Sequence, residues 1–198
     1  MATKKGGTSA TASDQIWQYT DAKGWSKYFY YKRGTTEGWR KDGESKETEE
    51  TLKSGTSFFF VRPSDSASSD TTITLAGGVT PLTDIKTYAV AKGETVMMAN
   101  PWPIKIQIKH FNNYNQNPKG GTSATASDQI WRYDDEHEWR KYFFYKRGTT
   151  AQWRMIDTSS ETEDVIDPGE GFFFVRPSDS AATATTIQFA GPEAVKAE

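Results

Sequence analysis

Residues 6–77 recur without a gap as residues 120–191. The run from Gly6 to Trp17 returns letter for letter as Gly120 to Trp131, displaced by 114 positions, and about two-thirds of all paired positions are identical. Repetition over this length marks a duplicated domain, not a short solenoid unit. The stretch between the copies, residues 78–118, occurs once. The expected organisation is a first copy at 1–77 that lacks its leading third, and a complete second copy at 78–198. Both copies should take the same fold, but only one carries the extra segment.

The apolar residues come in short blocks of β-branched and aromatic types, separated by Gly, Ser, Thr, Asp and Pro. Helical periodicity is weak throughout. This pattern predicts an all-β chain: two homologous antiparallel β-sandwich or barrel-like domains from a tandem duplication. Gln15–Tyr19 reads as a first strand, and the small polar run Gly6–Ser13 before it as a loop or linker. Trp25–Arg33 is the clearest strand. Trp25, Lys27, Phe29, Tyr31 and Arg33 share one face, and Tyr28, Tyr30 and Lys32 the other. Gly34-Thr35-Thr36 turns the chain into a return strand at Trp39-Arg40, giving a hairpin with cross-strand aromatic pairs. Phe58–Val61 and Phe172–Val175 are continuous apolar strands, a sign of burial on both faces. Thr71–Leu75 and Thr185–Phe189 read as closing strands. In the once-only segment, Ile85–Ala91, Thr95–Ala99 and the alternating Ile104–Ile108 read as strands, followed by an Asn-rich loop from Phe111 to Pro118.

Three elements in this order carry a resemblance. A strand with a Gly turn leads to an Ala-Asn-Pro stop, from Tyr88-Ala89-Val90 to Met97-Met98-Ala99-Asn100-Pro101. A Trp/Tyr-rich hairpin follows, and then Pro168-Gly169-Glu170-Gly171-Phe172-Phe173-Phe174 with a Thr-rich strand ending in Ala-Gly. The order resembles an uncharacterised bacterial all-β repeat module of surface-associated or exported proteins. That resemblance implies no known enzymatic activity.

Composition narrows the functional classes. The formal net charge is −2, which argues against nucleic acid as the main partner, because phosphate binding needs a basic surface. There is no cysteine, so disulfides and Cys-ligated zinc are excluded. No stretch approaches the ~20 apolar residues of a membrane helix, so membrane insertion is not expected. Met1–Gly6 has no apolar h-region and does not read as a signal peptide. A virion or extracellular assembly is favoured over a free cytoplasmic protein.

No catalytic, cofactor or metal constellation emerges. Glu47, Glu49 and Glu50, with Glu161, Glu163 and Asp164, fall in the most variable loop and read as solvated carboxylates. Asp134-Asp135-Glu136-His137-Glu138 has metal-ligand types, but the first copy has Thr20-Asp21-Ala22-Lys23-Gly24 there, so a charged turn is the better reading. His110 closes a strand. Asp14, Asp128, Asp65 and Asp179 suit Asx-type turns, and Arg62 and Arg176 are placed to pair with them.

The aromatic hairpins hold the remaining ambiguity. Trp25, Tyr28, Tyr30 and Trp39, with Trp139, Tyr142, Phe144 and Trp153, serve either as core and subunit contact or as platforms for sugar rings. If Ile104, Ile106 and Ile108 lie on a strand that every copy needs, the first copy is incomplete. The single segment then serves both halves, or the first copy stands without it, or a neighbouring molecule supplies it. The expected partner is the protein itself or a host lattice, with a glycan as the alternative.

Overall fold

The computed structural model of the chain describes residues 4–53, 55–63, 80–112, 118–134, 136–178 and 186–190. The closing strand expected at Thr71–Leu75, Asp65, Asp135, Asp179 and most of the Asn-rich loop lie outside them. The described fold is all-β and antiparallel, with no α-helix among the described residues. The chain forms two compact units, one of Met1–Lys53 and Phe58–Gly78, the other of Ser54–Ser57 and Val79–Glu198.

The first unit holds β1 (Gln15–Thr20), β2 (Gly24–Arg33), β3 (Thr36–Lys41) and β4 (Phe59–Val61) in one sheet of order β3-β2-β1-β4. The second unit contributes β5 (Ile85–Ala89), β6 (Thr95–Ala99), β7 (Ile106–Gln107), β8 (Gln129–Asp134), β9 (Glu138–Arg147), β10 (Thr150–Met155), β11 (Val165–Ile166), β12 (Gly171–Val175) and β13 (Thr186–Ala190). Its main sheet runs β10-β9-β8-β12-β6, and β11-β7 and β13-β5 form two smaller pairs. The shared strands keep one register. Gln15 faces Phe29 and Tyr30 faces Trp39, as Gln129 faces Phe143 and Phe144 faces Trp153. The second sheet then adds β6, from the once-only segment, along β12.

Gly6–Ser13 is packed rather than a linker. Ala10–Ala12 forms a 3-10 turn, Gly7 bridges to Tyr31, and Ser13 and Asp14 are fully buried. A Cβ on Gly6 would stand 2.4 Å from Lys32 Cβ, so this approach requires glycine. Asp14 fixes the segment, accepting from Lys5 N at 2.8 Å and from Arg62 Nε and Nη2 at 3.0 Å. Asp128, Lys119 and Arg176 repeat the arrangement. The expected Asp–Arg pairing is therefore made, with Asp14 and Asp128 as the acceptors.

The alternating run Ile104–Ile108 does not form one strand. Asn100 Oδ1 accepts from Trp102 N at 3.1 Å and Asn100 Nδ2 donates to Ile104 O at 2.8 Å, which folds Asn100–Ile104 into a side-chain-pinned turn. Only Ile106 and Gln107 pair as a strand, with Ile166 and Val165. Ile108–Asn112 then winds into 3-10 turns.

Candidate functional site

Strand alternation gives each main sheet two unlike faces, and both candidate surfaces follow from them. In the second unit one face is the core. Ile130, Tyr142, Phe144, Trp153, Phe172 and Phe174 project there with Met98. Val90, Trp102 and Ile108 from the once-only segment cover them, with Ile166 of β11. All of these are buried to within a few per cent. Three polar groups inside the core are satisfied, whereas the Trp153 indole N–H is buried without a hydrogen-bond partner among the described residues. Arg176 Nη1 donates to Val90 O at 2.8 Å, Trp102 Nε1 to Pro81 O at 3.0 Å, and Asn100 Nδ2 to Ile166 O at 3.0 Å. Burying each large apolar side chain here contributes about 1.5–3 kcal/mol.

The first unit builds the same face with Ile16, Tyr28, Tyr30, Trp39, Phe58 and Phe60. Tyr28 and Tyr30 are buried, but Ile16, Trp39, Phe58 and Phe60 are only half-buried. The sharpest difference lies at the edge. Leu52 stands where the second copy has Ile166, and it is 43% exposed against 0%. Ile166 is held because Val165 and Ile166 pair with Gln107 and Ile106, and because Arg132 Nη1 donates to Val165 O at 2.8 Å. Thr51 and Leu52 belong to no strand, and the first copy has Gln18 at the position of Arg132.

The opposite face is an aromatic ladder repeated in both units. Tyr19 and Trp25 meet edge to face at 5.3 Å, as do Tyr133 and Trp139 at 5.4 Å. Lys27 lies 4.0 Å over Trp17 and Lys141 4.2 Å over Trp131. These cations occupy one side of the inner tryptophans. The outer rings remain open to solvent, with Trp25 45%, Tyr133 43% and Trp139 43% exposed.

The sequence candidates thus divide. Tyr28, Tyr30, Tyr142, Phe144 and Trp153 are core residues, Trp39 lies half-buried on the core-type face, and Trp25 and Trp139 stand on the exposed ladder. Of the isoleucines, Ile108 is fully buried, Ile106 half-buried and Ile104 exposed. Sequence reasoning missed Leu52, which looks like any loop leucine until it is set beside Ile166. It also missed Tyr133, because one face of the strand cannot be preferred to the other by alternation alone.

Two loop carboxylates read as solvated have structural partners. Tyr142 Oη donates to Asp164 Oδ2 at 2.5 Å, and Tyr28 Oη donates to Glu50. Burial, reinforced by these carboxylates, pushes both phenols up to about 12. The Tyr28 hydroxyl and the Lys41 ammonium hold Glu50 below the usual carboxylate range.

A groove of about 650 Å³ opens beside Asp164, lined by His137, Arg140, Lys141, Met155 and Asp157 among others. Of its charges, Arg140 and Asp164 are held in ion pairs. Arg140 reaches Asp134 at 3.2 Å and Asp164 at 3.3 Å, and Asp134 Oδ1 accepts from the backbone of Glu136 and His137 at 3.1 and 2.7 Å. Burial opposes ionisation of Asp134, but the His137 N–H, its ring and Arg140 outweigh it and lower its pKa. No group of three or more metal-ligating side chains occurs among the described residues. Among them no helix is long and apolar enough to cross a membrane. No protein-family model, curated protein or solved structure matches the chain.

Proposed function

We propose that this protein is a non-enzymatic structural subunit that packs through its β domains into a larger assembly. The settings are a virion decoration, capsid or fibre component, and a cell-surface lattice or filament subunit. On this reading the units are homologous, sandwich-like domains from a tandem duplication, supported by the register they share at a displacement of 114 residues. The observation that carries the proposal is the first unit's face, where Leu52 stands 43% exposed and its counterpart Ile166 is fully buried. Apolar surface left open in one unit where its counterpart in the other is covered marks a contact site.

The test is solution mass by light scattering on a size column across a dilution series. A species above 22.2 kDa that persists on dilution supports the reading. A monomer at every concentration, which also fails to join a preformed lattice, overturns it.

The exposed ladder supports a second reading, a carbohydrate-binding module. Trp25 and Trp139, 45% and 43% exposed, offer aromatic surface to a sugar. Glycan binding lost on Trp139→Ala with the fold intact would favour this reading.

A further inference from the structure

We infer that the aromatic ladder of each unit binds an acidic polysaccharide in which carboxylate-bearing and neutral sugars alternate. This rests on the carbohydrate-binding reading and names the class of sugar.

The chain as a whole carries a formal net charge of −2, yet its charges are sorted by face. Strand alternation puts Lys27, Arg33 and Arg40 on the ladder face of the first sheet, and Lys141, Arg147 and Arg154 on that of the second. No Asp or Glu of the paired strands alternates to this face, since Glu37, Asp134 and Glu138 project the other way. Four of the cations are fixed by rings. Arg40 lies 3.4 Å from the centre of Tyr31 and Arg154 3.6 Å from that of Tyr145, as Lys27 and Lys141 lie over Trp17 and Trp131. A ring holds a cation in place without neutralising it. Among the described residues none of the six forms an ion pair with a carboxylate.

The two copies set this face apart. Elsewhere they diverge, with Gln18 against Arg132, Ser26 against Arg140 and Lys41 against Met155. The six cations and the rings Trp17, Trp25 and Tyr31 are the same residues in both copies. Trp25 is 45% exposed, so filling a core does not account for its identity with Trp139. Exposed rings take the apolar side of a sugar, and fixed cations beside them take carboxylates, most strongly through the guanidinium fork. A neutral sugar leaves these cations unused. Strand spacing puts the three cations of one face about 10 Å apart on average. A nucleic acid is charged at every residue, whereas a sugar chain with an acid on alternate residues matches that wider interval.

The test is isothermal titration of the full chain with a hyaluronan hexasaccharide, with neutral chitohexaose and with oligothymidylate of the same length, at low and high salt. The expected result is saturable binding of hyaluronan that weakens as salt rises, with chitohexaose and oligothymidylate each about tenfold weaker or more. Combining Lys27→Met, Arg40→Met, Lys141→Met and Arg154→Met should cost hyaluronan about tenfold or more and leave chitohexaose unchanged. Methionine keeps an apolar stem over each ring, and an unchanged urea midpoint checks that the fold holds. Lys27→Arg with Lys141→Arg should retain binding, because the charge remains. Equal affinity for hyaluronan and chitohexaose overturns this inference and leaves the carbohydrate-binding reading standing. Oligothymidylate bound as tightly as hyaluronan also overturns it, in favour of a general polyanion surface. Binding of neither sugar overturns both readings.

Discussion

Glu138 and Asp157 adopt φ of +57° and +72°, where the first copy places Gly24 and Gly43 at +64° and +84°. A side chain in this left-handed region costs about 1–2 kcal/mol, which glycine avoids. Glu138→Gly should therefore raise the stability of the second unit by about 1 kcal/mol, read as a higher urea midpoint at unchanged slope. Gly24→Glu should lower that of the first. The two core tyrosines set a limit on the alkaline side. The fold raises the Tyr142 phenol from 10.0 to about 12 by burial and by its bond to Asp164. The neutral phenol is the form the fold favours. Its contribution is complete below pH 10 and is lost as pH rises through about 12. Tyr142→Phe should remove one late component from the tyrosinate titration at 295 nm and flatten the loss of stability in that window.

At the scale of elements, the segment around β7 separates three isoleucines that alternation treats alike. Ile108 lies wholly inside the core, while Ile104 is 36% exposed. Ile108→Ala should cost about 2–5 kcal/mol, and Ile104→Ala should change stability by no more than about 0.5 kcal/mol. Equal effects, measured by chemical denaturation, would restore a single continuous strand. The elements legible in the sequence are those whose side chains dictate their backbone. Trp25–Arg33 alternates and has Gly34 to turn it, so β2 and β3 follow. The stop at Asn100 was legible, but the reach of its turn into Ile104 was not, because it depends on an amide reaching Ile104 O and Ile166 O, the latter 66 residues away. The packing of Gly6–Ser13 was hidden for a similar reason. Small polar residues look like linker until a buried carboxylate, Asp14, gathers their backbone. Of the candidate surfaces, the aromatic positions were readable and the face each occupies was not, since burial is decided by what covers the sheet.

For the whole molecule, unequal cover implies unequal stability. The five-stranded sheet has the once-only segment over its core face, and the matching face of the four-stranded sheet is only half-buried at Ile16, Trp39, Phe58 and Phe60. Amide hydrogen exchange should therefore be faster in β1 and β2 than in the matching β8 and β9. Equal protection would mean that the half-buried face costs nothing. Leu52 and Ile166 also have a consequence for symmetry. A face that meets an unlike element of its partner closes into a two-fold pair only when the contact is made reciprocally; made once per molecule, it is heterologous. In the heterologous case each step leaves one such face unmatched, so the contact has a direction. An open assembly built that way would have distinguishable ends, and its length would be set by supply or by a terminating partner.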